Sequence, residues 1–104
     1  MISELVLFAL PPGLPRETVV QGMKDVAPRW AADPALIRKT FLYDAAASQA
    51  GAMYLWPDRA AAEQAHDAAW RQRIIDAYGS APLIRYFETP LVVDNALGRV
   101  IEER

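Results

Sequence analysis

Residues 35–56 constrain this chain more than any other stretch. Leu36-Ile37-Arg38-Lys39-Thr40-Phe41-Leu42-Tyr43 and Gly51-Ala52-Met53-Tyr54-Leu55-Trp56 flank a short polar, alanine-rich insert, Asp44 to Ala50. The pattern predicts a β-hairpin with aromatics and one lysine at alternating positions. Large side chains fall on both faces of that hairpin, so neither face suits bulk water and each needs a cover.

The segments around the hairpin supply the rest of a sheet. Glu4-Leu5-Val6-Leu7-Phe8-Ala9-Leu10 is almost uniformly apolar and stops at Pro11-Pro12-Gly13, as a central strand covered on both faces would. Pro15 suits the first turn of a helix in which Val19, Met23, Val26, Ala27 and Trp30 recur at helical spacing, with Pro28 expected to kink or end it. Pro57-Asp58 opens a second helix carrying Ala61, Ala65, Ala68, Ala69 and Ile75 and ending before Gly79. Leu83 to Thr89 reads as a fourth strand, interrupted by Pro90 before Leu91-Val92-Val93-Asp94, which argues for an edge position.

The order is β-α-β-β-α-β, the ferredoxin-like arrangement of an α+β fold, in which two helices cover one face of a four-stranded antiparallel sheet. The first and third strands are expected at the centre, the second and fourth at the edges. Residues 1–104 read as one domain, with 95–104 a polar C-terminal tail that is either disordered or reaches a neighbouring chain. Apolar side chains on both sheet faces leave the helix-free face in need of a partner, and a second sheet would provide one.

Composition narrows the functional classes. Hydrophobic residues make up 53% of 104 residues, a surplus that at this size favours a dimer or a ligand cavity. A net charge of -2 without charge runs gives no footprint for nucleic acid or an anionic membrane. The absence of cysteine excludes disulfides, thiolate nucleophiles and cysteine-based metal centres, and one histidine among scattered carboxylates makes a structural metal unexpected. With the apolar run Leu5 to Leu10 too short for a signal core or a span, a cytoplasmic location is expected.

Ala35 to Phe41, Gly51 to Trp56, the Ala60-Ala61-Ala62-Glu63 helix start and Pro82 to Asn95 together resemble a family. It is that of the small dimeric α+β-barrel proteins related to the antibiotic-biosynthesis monooxygenases. The common family form has paired glycines where this chain has Gly51-Ala52. The resemblance implies a homodimeric α+β barrel and a cofactor-independent monooxygenase acting on a small aromatic or polyketide-like compound. The same fold also hosts isomerases and haem-handling enzymes, and a non-enzymatic small-molecule binding or stress-associated dimer is the rival from another class.

Monooxygenation without a cofactor needs a base, aromatic walls and a fixed donor or cation beside the substrate anion. His66, the one histidine, is the candidate proton acceptor, with Trp70 one helical turn beyond. The alternative is a helical histidine beside a tryptophan that covers the sheet edge. Lys39 shares strand parity with Ile37, Phe41 and Tyr43 and is the candidate charge stabiliser, or else an edge lysine that reaches to water. Tyr43, Tyr54, Trp56 and Trp70 are candidate substrate-binding walls, or else core and interface aromatics. No residue set is expected to bind a metal, no cofactor is expected, and which strand parity faces the helices is open.

Overall fold

The computed structural model describes residues 1–103. In chain order the elements are β1 (Ile2–Ala9), α1 (Arg16–Ala31), β2 (Arg38–Asp44), β3 (Gln49–Trp56), α2 (Arg59–Ala65), α3 (Ala68–Tyr78), β4 (Leu83–Glu88), β5 (Leu91–Asp94) and β6 (Arg99–Glu102). The main sheet is antiparallel in the order β2-β3-β1-β4. The chain therefore adopts the ferredoxin-like α+β fold, with β1 and β3 central and β2 and β4 at the edges.

Register settles which residues share a face. Glu4 lies opposite both Tyr54 and Tyr86, Val6 opposite Ala52 and Ile84, and on the other side of β3 Lys39 pairs with Tyr54 and Phe41 with Ala52. Because side chains alternate along a strand, these residues line one face. Trp30 of α1, Ala62 of α2 and Trp70 of α3 pack on that face with Val6, Ala52, Tyr54 and Trp56 to form the core. Lys39 thus points under the helices, and Arg38 points to the opposite face.

Three expectations need correction. The second helix is two helices, because the Asp67 carboxylate accepts the Trp70 N–H at 2.8 Å and caps a new start, α3, while His66 ends α2 at φ -119°, ψ 58°. Pro28, expected to kink or end α1, does not end it: the helix runs on to Ala31, since a proline this near the C-terminus leaves most of the helical hydrogen bonds intact. The supposed tail is a hairpin, with Leu91 to Asp94 leaving the main sheet to pair with Arg99 to Glu102 around a Gly98 at φ +64°. Arg104, the last residue assigned to the tail, lies outside the described residues.

This hairpin crosses the helix-free face. Asp94 is ion-paired with Arg38 on the far edge strand, Ser3 and Thr89 share a hydroxyl hydrogen bond of 2.6 Å, and Leu55 beneath is only 6% exposed. Elsewhere on the same face Leu83 and Phe87 remain exposed. Among the described residues no helix is long and apolar enough to cross a membrane.

Candidate functional site

Between sheet and helices lies a cavity of about 420 Å³. Its floor is Ala50-Gly51-Ala52 of β3, three successive residues with almost no side chain, so the bulky residues of β1, β2 and the helices stand around an empty centre. Phe8 and Tyr78 stack at 4.6 Å along one side, and Trp30 and Trp70 form parts of the walls from α1 and α3. A largely apolar cleft with a few polar groups is the usual form of a small-molecule site.

Lys39 is the polar group set deepest into those aromatics. Its Nζ lies 4.1 Å from the Trp30 ring centre, 4.2 Å from Phe41 and 4.7 Å from Tyr54, and it makes no ion pair among the described residues. The ring faces attract the cation, but loss of water, helped by the nearby Arg29 charge, lowers the Lys39 pKa from 10.5 to about 7. Near neutrality this amine is therefore divided between its charged and uncharged forms. Tyr54 responds the other way, its phenol pushed far up by burial and then by the Glu4 charge, with Arg29 opposing, so it stays protonated and keeps its proton available to donate in a hydrogen bond.

Behind the wall sits a sealed polar group. The Glu4 Oε1 accepts from Trp56 Nε1 at 2.9 Å and from His66 Nδ1 at 2.8 Å, and the Glu4 and His66 side chains are wholly buried. The His66 ring is boxed by Trp70 at 4.3 Å, Tyr54 at 4.6 Å, Trp30 at 5.6 Å and Trp56 at 6.3 Å between centres. His66 Nε2, Glu4 Oε2 and the Tyr86 hydroxyl have no hydrogen-bond partner among the described residues. Burial, then the Glu4 charge, raises the Tyr86 pKa. The break between α2 and α3 is what lets the His66 ring turn inward to Glu4.

The candidates named from sequence divide accordingly. Lys39, Tyr54 and Trp70 converge on the cavity. His66 is not on its lining; it touches Tyr54 and Trp70 from behind, so it is placed to hold the wall and not to meet a ligand. Trp56 is fully buried against Glu4, and Tyr43, though on the same sheet face, does not line the cavity. Sequence reasoning missed Arg29 and Arg73, which line the cavity from α1 and α3, and it missed Glu4. A lone carboxylate in an otherwise apolar central strand was the available signal for Glu4, since such a charge must find buried partners. Among the described residues no three His, Cys, Asp or Glu side chains come close enough to share a metal ion.

The sequence profile of the family described as "Putative mono-oxygenase ydhR" matches residues 8–82, which include the hairpin, α1 to α3 and the cavity floor. No curated protein matches the chain. Solved structures do. A Deinococcus radiodurans protein titled a putative antibiotic biosynthesis monooxygenase superposes with a TM-score of 0.67 at 10% identity, covering 90% of this chain and 97% of its own. A Bordetella bronchiseptica protein of the same title gives 0.62 at 16% identity, covering 85% and 95%. A third, titled antibiotic biosynthesis monooxygenase, gives 0.64 at 13% identity, covering 86% and 98%. Identities this low speak for a shared fold alone.

Proposed function

Because the chain belongs to the mono-oxygenase ydhR family, we propose that its cavity performs a cofactor-independent monooxygenation of a small aromatic or polyketide-like compound. The observation that carries this reading is Lys39, an amine with no ion pair among the described residues and a pKa near neutrality, set among three aromatic rings on the cavity wall. A base that titrates near the working pH suits proton removal.

In this reading uncharged Lys39 takes a proton from an acidic CH or a phenol, and the ammonium so formed lies beside the new anion. The anion gives one electron to O2, and the resulting radical and superoxide combine at carbon. The Lys39 proton returns to give a hydroperoxide. Breaking the O–O bond with loss of water leaves a carbonyl, so that a methylene plus O2 becomes C=O plus H2O. Tyr54 donates to substrate oxygen, and Trp30 and Trp70 flank the ring system and exclude water. Glu4 and His66 act at one remove, fixing the rear of that wall.

The exposed Leu83 and Phe87 on the helix-free face support a homodimer formed by two such sheets. A binding protein without turnover remains the second reading, favoured by the position of His66, which leaves the cavity with a single base. The haem reading gains nothing from the structure, because His66 is buried and does not line the cavity.

Oxygen uptake with a panel of phenols, quinols and β-diketones, recorded for the native protein and Lys39→Met, tests the proposal. Substrate-dependent uptake that falls at least ~100-fold in Lys39→Met is expected. Saturable tryptophan quenching with no uptake would transfer the protein to the binding class.

A further inference from the structure

The cavity has a one-sided charge that its apolar walls do not explain. The chain has 11 basic and 13 acidic residues, yet among the described residues three basic ones line the cavity, Arg29, Lys39 and Arg73, and no acidic one does. The protein as a whole is acidic, at -2, so this is not a sample of a basic surface. None of the three is ion-paired among the described residues, and four acidic side chains elsewhere do have partners. Arg29 lies over the Trp30 ring at 5.3 Å, on the same indole that holds the Lys39 ammonium at 4.1 Å. Two like charges sharing one aromatic platform repel, and a ligand anion between them relieves that repulsion.

Resting on the cavity being the substrate site, we propose that its ligand carries a permanent carboxylate, separate from the carbon that reacts, which the Arg29 and Arg73 guanidiniums receive. Lys39 alone can give up its charge near neutrality; the arginines cannot. Proton transfer to Lys39 therefore accounts for the reacting centre and leaves the solvent-exposed Arg29 and Arg73 as permanent cations on the cavity lining. A guanidinium matches a carboxylate through paired N–H donors, and such a charge-assisted pair is stronger than a neutral hydrogen bond. The ligand class is thus an aromatic or polyketide-like carboxylic acid, not the neutral phenol or ketone of similar size.

Three probes of one shape test this: 2-naphthoate, its methyl ester and 2-naphthylmethylammonium, titrated calorimetrically into the full chain. The acid is expected to bind at least tenfold more tightly than the ester, and the ammonium not at all. Arg29→Met and Arg73→Met should each reduce that preference severalfold while leaving ester affinity within about twofold. Equal affinities for acid and ester, or no binding by any probe at millimolar concentration, overturn the proposal; if either variant fails to fold, an acid preference of the native protein that persists at pH 9, where Lys39 has lost its charge, still assigns it to the arginines, and one that is lost there overturns it. Oxygen uptake recorded in parallel separates the two readings. Acid preference without turnover removes the monooxygenase and keeps the carboxylate site, whereas turnover of neutral compounds with no acid preference does the reverse.

Discussion

Lys39 ties the chemistry to pH. Its pKa of about 7, against 10.5 for an ordinary lysine, means that the uncharged base gains population as pH rises through 7. If it is the base, kcat/KM should climb tenfold per pH unit below about 7 and level off above it, a profile that Lys39→Arg should abolish. Stability carries the same signature. Between pH 7 and 10.5 the unfolded chain binds a proton that the native chain does not, so the Lys39 contribution improves with rising pH across that window and the burial penalty is complete below it. Lys39→Met should therefore stabilise the protein at pH 6 by about 1–2 kcal/mol, allowing for solvent that still reaches the amine, with the gain shrinking as pH approaches 10. Urea unfolding at two pH values would show it, and a gain independent of pH would remove Lys39 from that role. Glu4 offers the opposite case, since Glu4→Ala strands two buried donors, His66 Nδ1 and Trp56 Nε1, at a cost of about 3–5 kcal/mol. An unfolding midpoint unchanged by that substitution would contradict the account of the buried group.

Strand and helix boundaries show what can be read without coordinates. Strand order followed from the β-α-β-β-α-β succession, with which the apolar run of β1 agreed, because a strand that needs cover on both faces belongs at the centre of a sheet. The α2–α3 break did not follow, although Asp67 three residues before Trp70 is a cap in retrospect, because the alanines on either side continue a helical pattern through it. Face assignment was likewise out of reach. Val6, Phe8 and Phe41 on one side and Leu5, Leu7 and Met53 on the other are similarly apolar, and only the packing of Trp30 and Trp70 distinguishes the two faces. The cavity depended on an absence, the three small residues at 50–52, of which Ala50 reads as part of the polar insert and Gly51-Ala52 only as the start of a strand. Gly51 among them is required sterically, since a Cβ there would lie 1.8 Å from the Val6 carbonyl oxygen of β1. Gly51→Ala must push the two central strands apart, and a loss of about 3 kcal/mol or failure to accumulate as folded protein is expected by circular dichroism.

Assembly and motion belong to the molecule as a whole. With the β5–β6 hairpin clasped over one end of the helix-free face by Arg38 and Asp94, a second sheet could meet only the uncovered remainder, where Leu83 and Phe87 stand out. Phe87→Glu should leave the monomer's stability within about 0.5 kcal/mol, its side chain already being exposed, and should convert a dimer to monomer in sedimentation equilibrium. A native protein that sediments as a monomer at high concentration would remove the dimer instead. The Glu4 group supplies a clock for such measurements. The protons on His66 Nδ1 and Trp56 Nε1 are hydrogen-bonded to a carboxylate at zero exposure, so solvent reaches them only when α2, α3 and the central strands part. In deuterium oxide these two signals should outlast the amides of the β5–β6 hairpin and vanish together, their common lifetime measuring how often the interior opens.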